Sequence, residues 1–445
     1  MSKISNFCWI IILIIIFFLG IGHNFLHSQS LSFSFRQLEL KNGLKVILSE
    51  DHSLPVVSVL IAYQVGSIND APQKEGLAYL LQNMMFQGSE NVGKMQHLVY
   101  INQIGGELNA VVYEDKTFFY QTLPSNYLAL ALWLEADRMV SLRISPSEFE
   151  ELKNTLILDI KNRIENQPYL STFFKFDQIA YQDFAYGHPV IGRKNKIKTI
   201  SLEDAKEFYS TYYVPNNAVL TVVGDFNLKK TIQLIKKYFE TIPRGENILS
   251  LPPAPIFRNE GIIETYQDSF IPLPSIHIGY FIPFSKFEDF YPLTILDYIL
   301  LKGESSRLFN RLVKKERLVF QISGGIEKKR NQAIFKIFVI NNNPIMVNRT
   351  IEIIFSEINK LKKGYVSESE LQRAKNMFKA DYYNQFLTTL NRAIFLTECV
   401  MSDRPLESIK RDLDKYLSVT KLDLMKVINR YFIKKNRIIL KVIPK

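Results

Sequence analysis

Residues 76–89 read Gly-Leu-Ala-Tyr-Leu-Leu-Gln-Asn-Met-Met-Phe-Gln-Gly-Ser. Tyr79, Gln82 and Asn83 stand at i, i+3 and i+4, so a helix here gathers a phenol and two carboxamides on one face. Leu77, Leu80, Leu81, Met84 and Met85 supply its apolar sides, and patterning alone reads the polar stripe as facing solvent. Other reactive types are scarce. The six histidines are His23, His27, His52, His97, His188 and His277, and of these only His23 and His27 are four apart. That pair lies in an apolar N-terminal tail with no acidic residue between, which makes no metal site. The two cysteines, Cys8 and Cys399, exclude a disulfide framework and a cysteine-based zinc module. Cys399, in an apolar-flanked and helical-looking stretch, reads as buried rather than reactive.

The elements that would position the polar face come in two sets. Residues 75–87 and 128–139 read as helices, and residues 44–48, 56–63 and 115–122 as strands, the last by its alternating Thr, Phe and Tyr. In the second half, residues 275–281 and 333–340 read as strands and 348–361 as a helix. The halves repeat. Ser145-Pro146-Ser147-Glu148 is a capping box with Pro at the first helical position, and Ser367-Glu368-Ser369-Glu370 is a second box 222 residues later. At the same offset Lys153-Asn154 matches Lys375-Asn376, and Asp159 matches Asp381. Tyr212-Tyr213 with Asn216-Asn217 leads into an apolar strand, as does Tyr431-Phe432 with Asn436, 219 residues on. The expected fold is α+β, with two similar domains from an internal duplication, each a mainly antiparallel sheet with helices packed on one face. The expected boundaries are 31–245 and 257–445, joined by a linker at 246–256 in a proline-rich stretch that includes Pro252, Pro253 and Pro255.

Composition narrows the function classes. With 445 residues, 47% hydrophobic and 22% charged, the chain is neither disordered, fibrous nor a multi-span membrane protein. The net charge of +11 is dispersed, with small clusters such as Lys314-Lys315-Glu316-Arg317 and no basic-aromatic nucleic-acid motif. It reads as a solvated surface, and no nucleic-acid partner is expected. Lys3, an apolar run from 7 to 22 and a polar Ser28-Gln29-Ser30 segment have the layout of an export signal over residues 1–30. Sixteen residues fall short of the roughly 20 that span a bilayer, so a membrane enters only if this segment stays uncleaved as an anchor. The expected location is the periplasm or cell envelope.

The stretch at 76–88 resembles the zinc-binding helix of the pitrilysin/insulinase metallopeptidase family, which also contains the mitochondrial processing peptidases. That helix reads Gly-x-Ala-His-x-x-Glu-His-Met-x-Phe-x-Gly. This chain keeps Gly76, Ala78, Met84, Phe86 and Gly88. Tyr79 and Asn83 stand where the family has two zinc-binding histidines, and Gln82 where it has the glutamate that activates water. The similarity continues through Gly105-Gly106-Glu107-Leu108-Asn109-Ala110, residues 132–139, Tyr186-Gly187-His188-Pro189, Gly224-Asp225 and Ser305-Ser306-Arg307-Leu308. It implies a two-domain clamshell that binds extended peptides along an edge strand containing Asn109, Ala110 and Val111.

The resemblance also implies what is missing. Zinc in active relatives takes a third ligand from a glutamate on the next long helix, and the matching position here is Asp159. A carboxamide oxygen is a weak ligand, a phenol with a pKa near 10 must lose its proton to bind well, and Gln82 has no basic carboxylate. No zinc is therefore expected. Active relatives also place an arginine and a tyrosine seven residues apart in the second domain, to steady the substrate carbonyl. The matching positions are Val313 and Phe320, with Arg311 and Arg317 nearby as conceivable substitutes. An oxyanion donor contributes about 3–4 kcal/mol to a transition state. The expectation is a chain inactive by itself that pairs with a catalytic relative carrying His-x-x-Glu-His. The alternatives are a peptide-binding scaffold and a peptidase with an altered metal site.

Overall fold

β-Branched and aromatic runs set the framework in each half. In the first, β1 (Arg36–Glu39), β2 (Lys45–Glu50), β3 (Val56–Tyr63), β4 (Glu107–Val112), β5 (Thr117–Pro124) and β6 (Ala218–Gly224) form a sheet in the order β1-β2-β6-β3-β5-β4. In the second, β7 (Ile262–Asp268), β8 (Ser275–Pro283), β9 (Val319–Lys328), β10 (Gln332–Asn341) and β11 (Arg437–Pro444) follow the order β7-β11-β8-β10-β9. Apart from β1 the two orders are the same. Pairing is antiparallel except between β2 and β6 and between β7 and β11. The computed structural model describes residues 34–182, 185–248, 260–283, 287–329 and 332–445. The expected export signal, with Cys8, His23 and His27, and residues 249–256 of the expected linker lie outside the described residues.

The first-half helices are α1 (Leu77–Met84), α2 (Gln96–Gln103), α3 (Leu128–Val140), α4 (Pro146–Asn166), α5 (Leu170–Tyr181), α6 (Lys194–Ile197), α7 (Leu202–Tyr212) and α8 (Leu228–Phe239). Those of the second half are α9 (Phe290–Leu300), α10 (Val347–Lys362), α11 (Glu368–Asn384), α12 (Thr389–Met401), α13 (Ile409–Leu417) and α14 (Lys421–Tyr431). Their caps carry the repeat. Ser145 starts α4 with a reciprocal box through Glu148. Ser367 caps α11 at the Glu370 amide, 3.1 Å, but the Glu370 carboxylate bonds Arg307 instead, at 2.7 and 2.6 Å. A stronger cation captures the acid, so only half of the second expected box forms. A further matched pair of boxes opens α7 at Ser201 and α14 at Thr420. Asn217 and Asn436 each donate to the carbonyl five residues back, at 2.8 and 2.7 Å.

One face of the first sheet, with Leu48, Val59, Ile61, Phe119, Leu220 and Val222, is buried against first-half helices. The strands are apolar on their other face too, where Leu60, Ala62 and Val223 are also fully buried. That face is covered by α12, a second-half helix that crosses β3 and β6. The Ser58 and Thr389 hydroxyls pair at 2.7 Å, and those of Thr221 and Thr397 at 2.7 Å. The exchange is reciprocal. From the first half, α5 lays Phe173 and Phe176 on Ile334, Phe338 and Leu440 of the second sheet. Gly279 in β8 makes room, since a Cβ there would come within 2.5 Å of the Phe176 ring. The Thr172 hydroxyl donates to the Tyr169 carbonyl and accepts from His277 Nε2 at 2.8 Å. Helices therefore lie on both faces of each sheet, because strands apolar on both sides leave no face for water. Residues Phe35–Lys445 form one compact unit.

Candidate functional site

The site helix α1 begins after Gly76, whose φ of +92 favours glycine and where a Cβ would come within 2.9 Å of Ile197 and 3.0 Å of Gly192. The Asp70 carboxylate accepts from the Gly76 amide at 2.7 Å and the Ala78 amide at 2.9 Å, satisfying orphan donors at the helix start. Burial pushes the Asp70 carboxyl well up, against those amide bonds. Glu75, expected inside the helix, instead pairs with Arg193 at 2.8 Å. The helix is thus shorter than the 75–87 read from the pattern.

Tyr79 and Gln82 are buried, at 7% and 8% exposure, so the polar stripe does not face solvent. It faces α4. The Tyr79 hydroxyl donates to Asp159 Oδ2 at 3.2 Å, and Arg163 Nε pairs with that same oxygen at 2.8 Å. The Arg163 guanidinium lies 5.9 Å from the centre of the Tyr79 ring. Burial raises the Tyr79 phenol above its ordinary value, and Arg163 offsets only part of this. Tyr79 therefore stays protonated near neutrality and acts as a donor. Asn83 turns its Nδ2 back to the Tyr79 carbonyl at 2.8 Å. The cluster is a closed set of hydrogen bonds with its own resident cation.

A catalytic zinc needs three good ligands and an open fourth position. The described residues contain no group of three or more His, Cys, Asp or Glu side chains able to hold a metal. A protonated phenol, a carboxamide bonded to its own helix and a carboxylate shared with a guanidinium do not fit the ion. Gln82 at the base position cannot accept a proton at neutral pH.

The second-half positions lie on other elements than this cluster. Val313 is half-buried in the π-helical turn Phe309–Lys315, and Phe320 is 70% exposed on β9, an edge strand of the second sheet. Arg311 pairs with Glu316 at 2.7 Å. Arg307 pairs with Glu370 and is near Glu357, and so holds α11.

β4 is one of the two edge strands of the first sheet and packs beside α1. Asn109, Ala110 and Val111 pair with Tyr120, Phe119 and Phe118 on its inner side. The Ala110 amide donates to the Asn109 carboxamide at 2.8 Å, which covers one donor with a side chain. Beyond the strand, the Ser67 and Ile68 amides donate to Tyr113 and Glu114 carbonyls at 3.2 and 2.7 Å, so the edge ends there.

Arg163 and Asp70 were not singled out from the sequence. For Arg163 the signal was present, because it stands four residues after Asp159 on one helix. The internal repeat, which matches Asp159 to Asp381, leads to a second pair: Tyr298 on α9 donates to Asp381 Oδ2 on α11 at 2.7 Å.

Residues 45–194 match the family model described as insulinase (peptidase family M16), and residues 199–378 match the peptidase M16 inactive domain. A curated relative, the zinc protease PqqE of Helicobacter pylori, is 30% identical over 414 residues, 92% of each chain. The crystal structure of a protease from Helicobacter pylori aligns with a TM-score of 0.87 at 26% identity, covering 93% of this chain and all of that one. The periplasmic protease PqqL of Escherichia coli aligns with a TM-score of 0.77 at 15% identity, and this chain covers 48% of its length.

Proposed function

The chain belongs to peptidase family M16, and on that premise we propose that it is an exported, non-catalytic member that pairs with an active relative in peptide proteolysis. The observation that carries the reading is the Tyr79–Asp159–Arg163 cluster: the family's metal positions hold a protonated phenol, a carboxamide and a carboxylate already neutralised by arginine. Gln82 supplies no base, and Val313 and Phe320 supply neither charge nor hydroxyl to a substrate carbonyl. The partner brings an intact His-x-x-Glu-His helix. This chain helps enclose the substrate, and its open β4 edge at Asn109, Ala110 and Val111 holds extended peptide by strand addition. That edge also supports a second reading, a peptide-binding scaffold without a protease partner.

Residues 1–30 act as the export signal, and the two M16-like domains run from 31 to 245 and from 257 to 445, as the repeat suggests. Among the described residues no helix is long and apolar enough to cross a membrane. The periplasmic location of PqqL favours the same compartment for this chain.

The test is native purification from the envelope fraction, followed by elemental mass spectrometry, sizing and a quenched-peptide assay. The expected result is no retained zinc in this chain, no turnover by it alone, and co-elution with an M16 chain carrying His-x-x-Glu-His. Near-stoichiometric zinc in the isolated chain, with chelator-sensitive turnover, overturns the reading. Peptide affinity without any co-eluting relative supports the scaffold instead.

A further inference from the structure

A cavity of about 370 Å³ opens where α4 and α5 meet the loop before α6 and the end of β7. Its volume is within the range of small-molecule sites, roughly 300–1,000 Å³. Ile160 and Ile164, one turn apart on α4, line it with Phe174 of α5, Pro189, Tyr266 and Phe270. Phe270 is 46% exposed, a large ring left at the surface. It is held there: Asp268 accepts from the Phe270 amide at 2.7 Å through Oδ1 and from the Ser171 hydroxyl at 2.5 Å through Oδ2. Gly192 ties the loop to the start of α1, since a Cβ there would come within 2.6 Å of the Glu75 carbonyl oxygen.

The polar groups of the walls are already bonded. The Ser171 hydroxyl is on Asp268, and Lys175 Nζ pairs with Glu264 at 2.8 Å while lying 5.7 Å from the centre of the Tyr266 ring. A ligand with polar groups along its body would give up hydrogen bonds to water and find no replacement there. The body that fits is hydrocarbon.

The charges on the lining are unequal. Lys161, Lys175, Arg193 and Lys194 are basic, and Glu165 is acidic. Lys161 lies 3.8 Å from Glu165, and Lys175 has Glu264, so those charges cancel. Glu75 pairs with Arg193 through Nη1 alone, at 2.8 and 3.0 Å, which leaves the rest of the guanidinium fork for a second carboxylate. Lys194, the next residue, is exposed, and among the described residues no carboxylate comes within ion-pair distance of it. The lining is therefore apolar with one cation in excess.

We propose that this cavity binds a medium-chain aliphatic carboxylate of the fatty-acid class, its chain along Ile160, Ile164, Tyr266 and Phe270 and its carboxylate at Arg193 and Lys194. A hydrocarbon with a single anionic end matches both the walls and the excess charge. The site uses none of Tyr79, Gln82, Asn83 or Asp159, so it stands or falls separately from the reading of α1.

The test titrates the purified full chain by calorimetry with hexanoate, octanoate and decanoate, each below the concentration at which it forms micelles. One saturable site is expected, tightening about fourfold for each added methylene. Decanol is expected to bind at least about 10-fold more weakly than decanoate in the native chain, and Lys194→Met to narrow that gap. Phe270→Ala is expected to weaken decanoate about fivefold by removing the exposed wall. Circular dichroism checks that both variants fold. No gain with chain length, equal affinity for decanoate and decanol, a gap unchanged in Lys194→Met, or tighter binding of an acetylated peptide ending in Leu overturns the proposal.

Discussion

The Tyr79–Asp159 pair of the first half and the Tyr298–Asp381 pair of the second are the same construction met twice. Each joins the first helix after a central strand to the long helix that follows the capping serine. The second-half pair illustrates how this fold ties the two helices by a direct hydrogen bond. The first half carries the same tie between α1 and α4, on the proposed reading at the positions where relatives coordinate zinc. A metal that bridges two helices also cross-links them, and removing it leaves buried polar groups that need partners. Tyr79 supplies that partner.

The differences lie one residue or one turn away. Asp159 has Arg163 four residues on, whereas Asp381 has Gln385. Ala78 precedes Tyr79, whereas Asp297 precedes Tyr298 and turns toward a cavity. One half has neutralised its carboxylate with a resident cation; the other keeps a buried acid with an open oxygen.

The sharpest way to break this comparison is to restore the metal ligands. A variant with Tyr79→His, Gln82→Glu, Asn83→His and Asp159→Glu should bind zinc poorly while Arg163 remains, because the guanidinium competes for the carboxylate and repels the ion. Adding Arg163→Ala should tighten zinc by about 10–100-fold, the usual range for a neighbour acting on a ligand. Competition with a fluorescent chelator measures it. Tight zinc with Arg163 in place would show that the arginine is a bystander.

Asp297→Asn tests the difference in the residue before each tyrosine. The folded-state pKa of Asp297 is raised to about 7, above its unfolded value. Its contribution to stability is therefore full below about pH 4 and is lost as pH rises through 7. The asparagine variant lacks this loss. Relative to the native chain it should gain up to about 4 kcal/mol between pH 4 and pH 8, at about 1.36 kcal/mol for each pH unit that separates the folded and unfolded pKa. Urea melts at several pH values read the difference, and a pH-independent gap would remove Asp297 as the source.

Two smaller effects sharpen the pairing itself. Tyr298→Phe removes a 2.7 Å bond made by a buried phenol and should cost about 1–2 kcal/mol in urea melts. Tyr79→Phe removes a 3.2 Å bond to a carboxylate that is 39% exposed and already paired, and should cost about 0.5 kcal/mol. Equal costs would mean that the first-half tie is as well formed as the second.

Much of the architecture was legible in the chain because it is local. Caps at Ser145 and Ser367, strands at 56–63 and 275–281 and the doubling of the unit follow from patterns a few residues long. The site helix was legible too, but its burial was not. Tyr79 and Gln82 look like a solvent stripe until α4 is laid against them, and nothing within α1 announces α4. The exchange of α5 and α12 was hidden for the same reason. Phe176 needs a glycine opposite, and Gly279 lies more than a hundred residues away. Glu370 satisfies a capping-box pattern, yet Arg307 takes its carboxylate.

The exchange of helices also sets a timetable. When β6 leaves the ribosome the first sheet has all its strands, but α12 begins about 165 residues later. At roughly 5–20 residues per second, the outer face of that sheet stays bare for about 10–30 s of synthesis. Neither half can finish before the whole chain is out. That delay gives a holding chaperone an apolar sheet face to bind meanwhile, and on the proposed export route it keeps the chain threadable through a translocon.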